Sequence, residues 1–133
     1  LYIAGDGPEK AEVEEVIKEN KLEKRVKLLG FLNKDEMKET VRKCKFVVVP
    51  SIWYENCPYS VIETLCTGKP VIGANIGGIP ELVKDNENGF IYKYDDINEL
   101  AEKMKILFLF YLIKVNRMRL LCIILKMITT LFL

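Results

Sequence analysis

The sequence predicts an α/β protein with a Rossmann-like, doubly wound parallel sheet. Three observations carry that expectation. Short apolar runs alternate with helical patterns from residue 1 to residue 105, and no hairpin signal joins neighbouring strands. Phe46 to Val49 is apolar throughout, as in a strand covered on both faces.

Leu1 to Ala4 reads as a strand closed by the turn Gly5-Asp6-Gly7-Pro8. Glu9 to Asn20 follows, with Ala11, Val13, Val16 and Ile17 set among charges as on an exposed amphipathic helix. Val26 to Leu29 is the next strand, ended by Gly30, and Asp35 to Cys44 the second helix. Phe46 to Val49 then runs into Pro50-Ser51. A helix from Pro58 to Thr67 is closed by Gly68 at the place of a C-cap. Pro70 to Ala74 is a strand, Gly77-Gly78 a loop, Pro80 to Val83 a short helix, Gly89 to Tyr92 a strand and Ile97 to Lys105 a further helix. In such sheets ligands bind at the carboxyl ends of the strands, where the Gly5, Ser51 and Gly77 loops emerge.

At 133 residues the chain is sized for one domain. The net charge of +1 gives no electrostatic reason to expect nucleic acid. There is no histidine, and Cys44, Cys57, Cys66 and Cys122 form no Cys-x-x-Cys pair, so zinc sites and Ser-His or Cys-His dyads are disfavoured. Single scattered cysteines suit a reducing compartment, and the expected location is the cytoplasm. No secretory signal pattern opens the chain; residue 1 is a leucine within a strand, and the expectation is that the true N-terminus lies upstream.

Composition changes near residue 105. Residues 106–133 hold no Asp, Glu, Gly, Pro or Ala, and their four charges, Lys114, Arg117, Arg119 and Lys126, are all basic. The first 105 residues carry 16 basic and 19 acidic side chains, a net −3, against +4 for the tail. The longest uncharged run in the tail, Ile106 to Ile113, has eight residues, well below the roughly 20 needed to cross a bilayer. Three readings stay open: a shifted reading frame, a basic amphipathic helix making peripheral membrane or partner contact, and a packed terminal helix pair.

The chemistry concentrates in S-I-W-Y-E-N-C-P-Y-S-V-I-E, where seven residues separate Glu55 from Glu63. Pro58 lacks an N–H and has a near-helical φ, which suits the first position of a helix. Glu55 then lies in the loop at the helix mouth. Glu63 lies five residues past Pro58, about 7.5 Å along the axis, and helical side chains lean back toward the N-terminus. Two carboxylates thus flank free N–H groups and the positive end of a helix dipole, a setting for a phosphate that bears hydroxylated groups. Gly77-Gly78 is a second candidate phosphate cradle. Trp53 and Tyr54 read as core aromatics beside a strand end, and Gly5-x-Gly7 as a tight turn, because Lys10 breaks the dinucleotide fingerprint.

From Leu1 to Lys105 the chain resembles the C-terminal, donor-binding domain of the glycogen-synthase-like (group 1, family 4) retaining glycosyltransferases with the GT-B fold. The resemblance rests on L-Y-I-A-G-D-G-P, V-K-L-L-G-F-L, the Glu-x7-Glu segment with G-K-P-V-I and G-G-I-P-E after it, and N-G-F-I-Y, all in the family's order. It implies a nucleotide-sugar donor as substrate, with Glu63 on the ribose hydroxyls and Glu55 facing the transferred sugar or its phosphate. Backbone N–H groups around Asn56 to Ser60, the segment that includes Cys57, Pro58 and Tyr59, would hold the diphosphate. Phe31 and Leu32 match the segment near the base, and Gly5, Gly7, Gly77, Gly78 and Glu81 line the same cleft. Transfer in the family is metal-independent and retains the anomeric configuration, so no metal or other cofactor is expected.

The family's acceptor-binding domain has no counterpart here. Neither does the start of the donor domain, where the family places an Arg and a Lys on the diphosphate. The expectation is a donor domain at 1–105 lacking its first elements, an anomalous tail at 106–133, and no turnover by this chain alone. The acceptor, a glycan, lipid or small molecule, would be held by the domain not seen, and the enzyme could work at the cytoplasmic face of a membrane. The rival readings are a non-catalytic nucleotide-sugar-binding or docking module and a related GT-B epimerase or phosphorylase.

Overall fold

The computed structural model describes residues 1–131, with side-chain surroundings through Lys114. The chain divides into two compact units, Leu1–Thr40 and the residues from Val41 onward.

The first unit is one strand-helix-strand turn: β1 (Tyr2–Ala4), α1 (Lys10–Glu19) and β2 (Lys27–Gly30). The strands pair in parallel, Tyr2 with Lys27 and Ile3 with Leu28, and a bulge then sets Ala4 against Gly30. The Gly5 N–H extends the ladder by donating to the Gly30 carbonyl at 2.8 Å. Two strands and one helix bury little: α1 has no buried residue, and Tyr2, Ile3 and Val16 stay exposed.

Helix α2 (Lys34–Lys43) runs from the first unit into the second. Its start is a reciprocal cap. The Asn33 side-chain oxygen accepts from the N–H of Asp35 and of Glu36, each at 3.0 Å, while the Glu36 carboxylate accepts from the Asn33 N–H at 2.9 Å.

The second unit contains β3 (Val47–Val49), α3 (Tyr59–Cys66), β4 (Val71–Ala74), α4 (Ile79–Leu82), β5 (Gly89–Tyr92) and α5 (Ile97–Leu131). Its sheet is parallel in the order β3-β4-β5, with Val48 opposite Ile72 and Ile72 opposite Phe90. All four residues of β4 are buried, and the core gathers around them from Val61 of α3, Ile76, Ile79 of α4, Val83 and the β5 residues Phe90 and Tyr92. Leu100, Met104 and Leu107, at spacings of four and three, bring α5 onto the same core.

All pairing is parallel, as the strand-helix alternation requires. The ladders form two sheets, β1-β2 and β3-β4-β5, and the α/β class with parallel strands and connecting helices is the one expected from the sequence. β3 is half-buried rather than covered on both faces, because it is an edge of its sheet with β4 on one side only.

The last helix begins at Ile97 as expected but does not end at Lys105. Asp96 caps it, accepting from the Glu99 N–H at 2.9 Å, and the backbone continues helical to Leu131. The composition change at residue 105 is therefore not a break in secondary structure, since Leu, Met, Lys and Arg all favour helix. The described part of the tail is one helix rather than a pair. Phe108 through Ile113 are exposed to varying degrees, and the Lys45 ammonium lies 4.9 Å from the Phe108 ring centre and 4.5 Å from that of Tyr111. The amphipathic reading covers residues 106–133, of which the side chains from 115 onward lie outside the described ones. Among the described residues no helix is long and apolar enough to cross a membrane.

Ile72, fully buried in the central strand, sets the size of the core contribution. Ile72→Ala is expected to lower unfolding free energy by about 2–5 kcal/mol in urea titration. Tyr92 gives a pH dependence: burial, with the Asp95 carboxylate adding to it, pushes its phenol above the ordinary value of 10.0. Above about pH 10 the unfolded chain releases this proton first, so stability falls as pH rises toward the folded value. Melting curves of Tyr92→Phe between pH 9 and 11 should show a shallower alkaline loss than those of the parent.

Candidate functional site

β3 delivers the chain to Pro50 and Ser51, and the segment that follows folds on itself before α3 begins. The Ser51 hydroxyl accepts from the Trp53 N–H at 3.3 Å and donates to the Trp53 carbonyl at 3.4 Å. That same carbonyl accepts from the Glu55 N–H at 3.0 Å. With its backbone pinned in this way the loop directs its aromatics outward: Trp53 is 73% and Tyr54 85% exposed, so neither is the core residue their position suggested.

Pro58 is the N-cap of α3 rather than its first residue, with φ −74° and ψ 94°. Its carbonyl accepts from the N–H of Val61 at 3.0 Å and of Ile62 at 3.3 Å, while its buried ring anchors the turn. A proline cap offers no side-chain oxygen. Among the described residues nothing accepts from the N–H groups of Tyr59 or Ser60, so the helix mouth keeps its donors and its dipole uncompensated.

Val61 and Thr64 face the core, and Thr64 is fixed by donating to the Ser60 carbonyl at 2.7 Å. That orientation turns Tyr59 and Glu63, one helical turn apart, to the exposed side. Glu63 lies in the second turn of α3, exposed. Glu55, Asn56 and Cys57 are also exposed, and neither glutamate has an ion-pair partner among the described residues.

The loop after β4 meets this segment directly. The Gly78 N–H donates to the Glu55 carbonyl at 2.8 Å, which brings Glu55 and Asn56 together with Gly77 and Gly78. The Gly78 N–H, a candidate donor for a phosphate cradle, is therefore engaged by the protein's own backbone. Glu81 stands exposed on the single turn of α4. The remaining candidates belong to the first unit. Gly5 and Gly7 follow β1, with the Gly7 N–H on the Asp6 carboxylate at 3.0 Å, and exposed Phe31 and half-buried Leu32 follow β2. Ser51 escaped sequence reasoning, although Ser-x-Trp after a proline at a strand end is a signal for a hydroxyl-closed turn. No group of three His, Cys, Asp or Glu side chains suited to a metal occurs among the described residues.

Parallel strands with connecting helices, and a helix N-terminus open to solvent beside exposed Glu55, are the features this part of the chain presents. Its family is shown by sequence: the profile of the glycosyl transferases group 1 matches residues 1–114, and the chain belongs to that family. An uncharacterised glycosyltransferase of Methanocaldococcus jannaschii is 35% identical over 102 residues, which cover 77% of this chain and 28% of that protein. Among solved structures, Anabaena HepE in complex with UDP-glucose is 31% identical with a TM-score of 0.70, covering 79% of this chain and 30% of HepE. The sucrose-phosphate synthase of Thermosynechococcus elongatus is 28% identical with a TM-score of 0.70, covering 81% and 29%. The chain spans less than a third of the length of these relatives, and the likeness is to part of their GT-B fold.

Because Glu55 and Glu63 are exposed and unpaired among the described residues, neither supports the fold. Glu55→Ala and Glu63→Ala are each expected to change unfolding free energy by less than about 0.5 kcal/mol in thermal or urea melts.

Proposed function

We propose that this chain carries the donor side of a glycosyltransferase that moves a sugar from a nucleotide-sugar to an acceptor with retention of configuration. The observation that carries the reading is the uncovered N-terminus of α3 between Glu55 and Glu63. A diphosphate at that mouth would meet the free N–H groups of Tyr59 and Ser60 and the positive end of the helix dipole. Glu63 would accept from the ribose hydroxyls, and Glu55, on the loop side, would face the sugar. The UDP and UDP-glucose complexes of HepE support a uridine diphosphate sugar as the donor class.

The chemical task is to stabilise a departing diphosphate and a sugar that gains oxocarbenium character. Fixed N–H donors and the dipole act on the negative charge as it develops on the leaving oxygens, and they need no reorganisation at that moment. The Glu55 carboxylate acts on the opposite sign of charge at the sugar. The reading calls on no metal, because the helix mouth supplies the positive potential. Acceptor binding and the second wall of the active site are assigned to other parts of the parent enzyme.

Calorimetric titration of UDP and UDP-glucose into this chain tests the reading. Binding of both is expected, and Glu63→Ala should weaken UDP at least ten-fold, about 1.4 kcal/mol or more. No binding by the parent chain, or equal binding by the variant, would overturn it.

A further inference from the structure

We infer that Gly77 and Gly78 are positioning residues that hold the Glu55–Asn56 main chain from behind, rather than donor-contacting residues. The functional consequence rests on the donor-site reading above; the geometry does not.

The two glycines are required for different reasons. Gly77 has φ +55°, in the left-handed region. A Cβ there would also lie 2.6 Å from the carbonyl oxygen and 2.9 Å from the nitrogen of Glu55. Gly78 has φ −82°, which any residue adopts, so its lack of a side chain is not conformational. Its Cβ would run into the Asn56 carbonyl oxygen and lie 3.1 Å from the Asn56 carbonyl carbon. In both cases the obstruction is backbone, which cannot swing aside as a side-chain tip would. The loops after β3 and β4 therefore touch main chain to main chain, locked by the hydrogen bond from Gly78 to Glu55.

The contact is anchored on the sheet. Ile79, next to Gly78, is fully buried against Gly73 of β4, where a Cβ would run into the Ile79 side chain. The height of Glu55 is thus measured from the central strand through Gly73, Ile79 and Gly78. Glu63 has broader support, since α3 packs on β3 and β4 as well as on α4, with Val61 and Thr64 buried. A side chain at Gly78 should consequently displace Glu55 and leave Glu63 in place, disturbing recognition of the sugar more than of the nucleotide.

Gly68→Ala is the control, because Gly68 has φ +71° with nothing within 4 Å of its Cβ position; it adds backbone strain without an obstruction. Amide NMR of the full chain should show the Glu55 and Asn56 resonances moved in Gly78→Ala and unmoved in Gly68→Ala, with those of Val61 to Leu65 unchanged in both. Titrations should show UDP affinity within three-fold of the parent for Gly78→Ala, while the ratio of UDP-glucose to UDP affinity changes at least five-fold. In the parent, the Gly78 amide should be protected from hydrogen exchange without ligand, a measurement that decides the matter even if Gly78→Ala does not fold. Unmoved Glu55 and Asn56 resonances, or free exchange at Gly78, would overturn the inference. Failure of the parent to bind UDP would remove the donor-site reading alone, leaving the resonances and the exchange rate to judge the contact.

Discussion

Strand β4 is the constraint on which the second unit depends. It is hydrogen-bonded along both edges, to β3 and to β5, and all four of its residues are buried. A strand so placed admits only apolar or absent side chains, and Val-Ile-Gly-Ala meets that condition. Burying Val61, Val71, Ile72, Ile79 and Val83 contributes about 1.5–3 kcal/mol per side chain as an upper estimate. The helices crossing these parallel strands must return over a face of the sheet, so the loops after β3 and β4 open at the same end. The site is a consequence of strand direction before it is a consequence of any site residue.

This arrangement separates stability from chemistry. The core is apolar, with Thr64 its one buried polar side chain among the described residues and that group satisfied by the Ser60 carbonyl. The mouth of α3 is formed by exposed residues and by backbone N–H groups whose availability follows from a proline N-cap. Serine or aspartate at position 58 would compete for those donors with its own side chain. Proline starts the helix and leaves the mouth open to a ligand.

Much of this was legible in the sequence, for identifiable reasons. Gly89 to Tyr92 is a strand at its expected bounds because an apolar run follows directly on the polar Asn86-Glu87-Asn88. The start of α3 was readable to within a residue: a fixed φ suits proline at the N-cap and at the first turn alike, and the deciding ψ is not set by the ring. The end of α5 is not readable, because the residue types change at 105 while helix propensity continues. Trp53 and Tyr54 resembled core aromatics because an apolar strand precedes them; the serine-closed turn that faces them outward depends on two long hydrogen bonds. Gly78 shows a more general limit. A sequence records that a glycine is present, not whether the backbone needs its φ or a neighbour needs its space.

That distinction bears on how the site divides its labour. Glu63 sits on a helix seated in the core, so its position is as stable as the packing of Val61 and Thr64. Glu55 sits on a loop whose last fixed point is a hydrogen bond to a four-residue helix, and α4 is too short to hold itself by its own bonds. Pro80 narrows its backbone freedom, and Ile79 fastens it to β4. Displacements of α4 are therefore transmitted through main-chain contact to Glu55, whereas Glu63 rides on α3, which packs against α4 but is also seated on β3 and β4. The sequence already sets Glu55 on a loop and Glu63 on a helix; the structure adds that the loop is held in place by its neighbour.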